Sequence, residues 1–143
     1  MRIQTTLIAI AGFGVASAAN AEGPDFEKEI WPFVKNSCVS CHTPEHKDER
    51  GRTRRPKGDL VITNKEAFMK GGEGGAVIVA GKPEESPFLS RTKLPLDHDD
   101  HMPPEGKADQ WTDEQKALFE AWVKAGANFG TWVRDAEADK KDA

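Results

Sequence analysis

The chain has 143 residues, a formal net charge of −4, 37% hydrophobic and 31% charged side chains, and a mean hydropathy of −0.64. The acidic balance argues against a nucleic-acid binder, which is normally basic overall, and no apolar run reaches the roughly 20 residues of a membrane span. One domain's worth of chain with so few apolar side chains builds a thin core, the condition under which small scaffolds rely on a disulfide, a metal or a cofactor.

Arg2, an apolar or small run over 7–18 with Ile8, Ile10, Phe13 and Val15, and a closing Ala19-Asn20-Ala21 have the form of an export signal with an A-x-A cleavage site. The expectation is a signal peptide over 1–21, a mature domain over 22–132 in the periplasm without stable membrane insertion, and a charged, flexible tail over 133–143. The competing reading keeps the first segment as a weak membrane anchor. Phe26, Ile30 and Val34 then recur at i, i+4 and i+8, which predicts a helix over 25–34 that leads into Cys38 and is kinked or restarted at Pro32.

Cys38-Val39-Ser40-Cys41-His42 has the C-x-x-C-H spacing of covalent haem attachment: two thiols add to the two vinyl groups and the adjacent imidazole ligates the iron. A disulfide between the same cysteines closes so short a loop that it stabilises little. The motif therefore predicts one covalently bound haem c, and a buried porphyrin would fill the thin core.

Over 43–58 the composition turns polar, with Lys47, Arg50, Arg52, Arg54, Arg55 and Lys57 against Glu45, Asp48 and Glu49, punctuated by Pro44, Gly51 and Pro56. No periodicity shows, so the stretch reads as a surface loop. Its cations either steer an acidic partner or pair with haem propionates, or form a solvated face, the commoner role of a charge run. Leu60-Val61-Ile62 and Ala76-Val77-Ile78-Val79 are short apolar runs, too short to imply a sheet. Between them Asn64 caps a helix that runs through Lys70 and stops at Gly71-Gly72; these glycines, with Gly74 and Gly75, lack a P-loop or dinucleotide pattern and read as turns. Gly81-Lys82-Pro83 turns the chain, and Ser86-Pro87 reads as an N-cap and first position of a short helix with Phe88 and Leu89 inward.

Residues 94–110 form a Pro-, Asp- and His-rich loop carrying His98, His101 and Met102. Thr112 to Gln115 is a capping box, followed by Leu118, Ala121, Trp122 and Ala125 at i, i+3, i+4 and i+7 and closed by Gly126. An electron-transfer haem needs a second axial ligand, and two methionines fall in the mature stretch. Met69 sits beside Phe68 in a predicted helix, where methionine is usually core filler. Met102, between His101 and Pro103-Pro104, is a thioether on a stiff loop, which suits a Met/His iron of raised potential. His98 and His101 are the competitors, as ligands of a bis-His iron or as solvated imidazoles among carboxylates; His46 stands too close to the motif to reach the other haem face. The second nitrogen of His42 should donate to a backbone carbonyl.

Taken together, Ile30-Trp31-Pro32, CVSCH, KGDL, FMKGG, AVIVAGKPEESPFLSR, HMPPEG and WTDEQKALFEAWVKAGANF resemble, in that order, the Planctomycete-type cytochrome c domain of the class I, mono-haem cytochrome c superfamily. The resemblance implies an all-α class I fold wrapped around one haem with the N- and C-terminal helices crossing, Cys38 and Cys41 as thioether sites, His42 as proximal ligand and Met102 as distal ligand. Thr43 stands where these proteins often have Gly, and 47–55 looks like an insertion. Family members often occur as modules of larger exported proteins, and a module standing alone favours a diffusible carrier, monomeric or a small subunit of a complex.

The primary expectation is thus a soluble periplasmic carrier of single electrons between redox partner proteins, not an enzyme. Its alternative is a haem enzyme subunit or sensor with a labile Met102 and His98 or His101 as acid/base or replacement ligand. A Cys₂His₂ zinc site of Cys38, Cys41, His98 and His101 has the wrong His spacing, and a dithiol redox site lacks its βαβ context.

Overall fold

The structure, a computed structural model, describes residues 23–134; the expected signal peptide and all of the tail beyond Arg134 lie outside the described residues. The described chain is mostly helical. Asp25 accepts the Lys28 N–H at 2.9 Å and opens a π-helical turn, Phe26–Ile30, that runs on into α1, Trp31–Cys38. Pro32 stands in the first turn of α1, where its missing N–H leaves no intrahelical bond unmade. A new helical segment thus starts at Trp31-Pro32 as expected, joined directly to the preceding turn: Trp31 keeps helical angles (φ −56, ψ −40) and donates to Phe26 O, five residues back.

The expectation of an all-α chain needs a correction at 43–58. This stretch carries an antiparallel hairpin, β1 His46–Lys47 paired with β2 Thr53–Arg54 in the register His46 to Arg54 and Lys47 to Thr53. Leu60, Ile62 and Ile78, in the two apolar runs, are buried but form no strand. Asn64 caps α2, Lys65–Lys70, accepting the Ala67 N–H at 2.9 Å. Ser86 precedes α3, Pro87–Ser90, yet its hydroxyl makes no cap bond. That oxygen accepts the Val79 N–H at 2.9 Å and donates to Lys82 O at 2.9 Å, pinning the preceding turn.

The capping box forms as expected, with Thr112 N–H on Gln115 Oε1 and Gln115 N–H on Thr112 Oγ1, and opens α4, Asp113–Lys124. The buried face of α4 is rotated from the expected one. Trp122 is buried, but Ala121 and Ala125 are exposed and Leu118 half-buried, while Phe119 and Val123 go inside. The larger side chains at i, i+3 and i+4 remove more apolar area from water than two alanines can.

Both chain ends feed one aromatic core. Phe26 lies 4.9 Å from Trp122, 4.5 Å from Phe129 and 4.7 Å from Trp132 between ring centroids, and Trp31 lies 4.8 Å from Trp132. Phe68, Phe88, Trp111 and Phe119 extend the cluster towards α2 and α3. The N-terminal helical turn is thereby held against α4, and α1 ends with Cys38 at the core's edge.

Candidate functional site

Beyond Cys38 the chain winds on for one more turn: Cys41 N–H donates to Cys38 O at 3.2 Å, and His42 N–H is shared between Cys38 O at 3.1 Å and Val39 O at 3.2 Å. The turn brings Cys38, Cys41 and His42 to the wall of a cavity of about 540 Å³, within the roughly 300–1,000 Å³ range of cofactor sites. Residues 57–62 run alongside, tied by Lys57 N–H to Cys41 O at 2.9 Å and Ile62 N–H to His42 O at 3.0 Å.

Both cysteines are free thiols. Burial, with a smaller contribution from Cys41, pushes the Cys38 thiol up to about 12, so it stays protonated. Burial also pulls the His42 imidazole below its ordinary value; the carbonyls of Leu60 and Lys57 oppose that shift and the Arg91 charge adds to it. The ring is therefore neutral at pH 7, the form that binds metal. His42 Nδ1 is buried without a hydrogen bond. The expected hydrogen bond from this nitrogen to a backbone carbonyl is therefore not formed, although the Leu60 and Lys57 carbonyls act on the ring.

Met102 lines the same cavity from the far end of the chain, half-buried, with its N–H on Arg91 O at 3.2 Å. The two competing histidines do not line it. His98 is exposed and accepts the Asp100 N–H at 3.0 Å. His101 is not a solvated imidazole: it is 5% exposed, with Nδ1 2.8 Å from Leu94 O and Nε2 2.6 Å from Gln110 Oε1. Gln110 Nε2 in turn donates to Pro103 O at 2.9 Å. Gln110 thus clamps the loop on both sides of Met102, a role that sequence reading missed; only its position just before the capping box hinted at a fixed place. Gln110→Ala, which leaves a buried imidazole nitrogen and a carbonyl without partners, is expected to cost about 1–3 kcal/mol, measured as a lowered denaturant midpoint.

The glycines close the cavity on another side. A Cβ on Gly72 would stand 2.3 Å from Gly58 O, and one on Gly71 would stand 2.0 Å from Gly75 O, with φ already at +81. These residues are more than turns: the missing side chains let 71–75 lie against 58–60 as a thin wall. Phe88, Leu60 and Val77 supply apolar lining, and the charged lining residues are Lys57, Arg91 and Lys107 against Glu73. Among the described residues no cluster of three or more His, Cys, Asp or Glu side chains is placed to hold a metal ion, so Cys38, Cys41, His98 and His101 do not assemble a zinc site. Two free thiols, a neutral imidazole with an unpaired nitrogen and a thioether facing one largely apolar space fit a covalently tethered iron porphyrin.

Residues 38–106 match the family model described as Planctomycete cytochrome C. No curated protein and no solved structure matches the chain.

Proposed function

Residues 38–106 form a Planctomycete-type cytochrome c domain, and from that premise we propose that the chain is a mono-haem carrier of class I fold. It passes single electrons by outer-sphere transfer between redox partner proteins of the periplasm. The observation that carries this reading is the convergence of Cys38, Cys41, His42 and Met102 on one cavity from positions some sixty residues apart. Haem supplies a one-electron iron couple when bound. Cys38 and Cys41 would tether the ring, each through its thiol. His42 would hold the iron on one side, and a hydrogen bond from its Nδ1–H to the Leu60 or Lys57 carbonyl would fix the tautomer and raise its basicity. Met102, on the loop that Gln110 clamps, would supply the other protein ligand. Phe88, Leu60 and Val77 would exclude water, and Lys57, Arg91 and Lys107 would balance the propionates.

An iron held by both His42 and Met102 would offer no place for a substrate, which is the case for a carrier over an enzyme. The reading with a labile Met102 lacks its replacement ligand, since neither His98 nor His101 lines the cavity and both nitrogens of His101 are engaged. The test is the purified exported chain: it should be red, low-spin, and keep its chromophore through acid-acetone extraction. The Cys38→Ser, Cys41→Ser double variant should lose that chromophore. A colourless wild type, an extractable haem or a bis-His spectrum overturns the reading.

A further inference from the structure

We propose that the hairpin over 43–57 is a docking surface for a redox partner with a carboxylate-rich face; the inference rests on the functional reading above and specifies its partner. The hairpin springs from the rim of the cavity. It leaves after His42 and returns at Lys57, both lining residues, and the Lys57 N–H to Cys41 O bond closes its base. It is ordered, where its composition suggests a loose loop, because Asp48 gathers it. One carboxylate oxygen accepts the N–H groups of Arg50 at 3.0 Å and Arg52 at 2.9 Å, and the other takes Nε of Arg52 at 2.9 Å and of Arg54 at 3.0 Å. The same bonds, led by the Arg52 N–H, hold the Asp48 carboxyl below its ordinary range, so it stays charged. Glu45 takes Arg55 at 3.0 Å. The guanidinium side chains remain outward, Arg52, Arg54 and Arg55 being 55%, 53% and 78% exposed.

Six cations against three carboxylates leave this segment positive in a chain whose net charge is −4. At about 0.1 M salt an approaching charge senses little beyond roughly 10 Å, so a partner aimed at the cavity mouth meets the hairpin's sign and not the molecule's. Lys57 also lines the cavity; with it set against the propionates of a haem, the hairpin still carries five cations against three carboxylates. A protein partner suits the position better than an anionic membrane or a nucleic acid, since the positive surface is confined to one short hairpin beside the electron's exit.

The sign difference gives a direct test with the full-length, haem-loaded protein. Reduced protein gives one electron to hexacyanoferrate(III), forming hexacyanoferrate(II), or to tris(phenanthroline)cobalt(III), forming the cobalt(II) complex; no proton or bond moves. For a molecule of net charge −4, the rate with the anionic oxidant should rise with added salt. Steering by the hairpin predicts the opposite: the hexacyanoferrate rate falls with salt and the cobalt rate climbs. Arg50→Glu with Arg55→Glu should slow the hexacyanoferrate reaction about tenfold at low salt and invert its salt dependence, within the about 10- to 1,000-fold range of electrostatic steering. Lys65→Glu with Lys70→Glu, on exposed positions of α2, changes total charge equally and should leave the slopes as they were.

A hexacyanoferrate rate that rises with salt in the wild type, or an equal response to both double variants, overturns the proposal. So does binding to phosphatidylglycerol vesicles that the hairpin variant loses while its oxidant rates stay unchanged. A chain that consumes neither oxidant carries no haem couple, which overturns the functional reading and this one with it.

Discussion

Met102→Ala is expected to erase the weak long-wavelength charge-transfer band of a Met-ligated ferric iron, lower the midpoint potential and open the reduced protein to carbon monoxide. The thioether stabilises the reduced iron, and axial ligation spans roughly 0.8 V across haem proteins, so a fall on the order of 100 mV is a modest share of that range. Neither loop histidine is positioned to take the vacated position: His101 is held between Leu94 O and Gln110, and His98 is exposed on the loop. The variant should therefore become high-spin, with the thioether tethers intact and the colour resistant to extraction. A variant that keeps the band and stays inert to carbon monoxide assigns the sixth position to another residue.

The largest expected loss of stability follows Trp122→Ala. Trp122 is fully buried, its ring lies 4.9 Å from Phe26, 5.2 Å from Phe119 and 5.0 Å from Phe129, and its Nε1 donates to Asn128 O at 2.8 Å. Removing the ring leaves a cavity where α4 meets the N-terminal turn, at a cost of about 3–5 kcal/mol, a large part of the roughly 5–15 kcal/mol that holds a domain together. A fall in denaturant midpoint with unchanged m-value checks it. Trp122→Phe, which keeps most of the apolar contact and loses the indole hydrogen bond, should cost about 1 kcal/mol in comparison.

That Cys38, Cys41 and His42 share one turn was legible in the sequence because the C-x-x-C-H spacing is local, and that Met102 lies in an irregular stretch was legible because Pro103-Pro104 cannot continue a helix. Gln110 was not: its bonds to His101 and Pro103 O link residues inside an irregular loop, and such contacts leave no periodic trace. The hairpin escaped for a related reason, since strands of two residues show no alternation and its organiser, Asp48, acts through four donors that look in sequence like an ordinary charge run. The thin core expected from composition gave way to a cluster of aromatic rings, because Trp and Phe bury about 150–250 Å² each and a percentage of apolar residues does not weigh them by size. The same blindness to size misjudged α4, where Ala121 and Ala125 fitted the helical period as well as Phe119 and Val123 did.

None of residues 43–56 is buried, and the amide of Lys57 closes the segment onto Cys41. This hairpin is therefore an appendage whose side chains can be exchanged without repacking the frame that sets the iron's environment. On the proposed reading, recognition would be set by rewriting a surface finger and ligation by the loop around Met102, so the two could change largely apart, for example by grafting a new finger between His42 and Lys57.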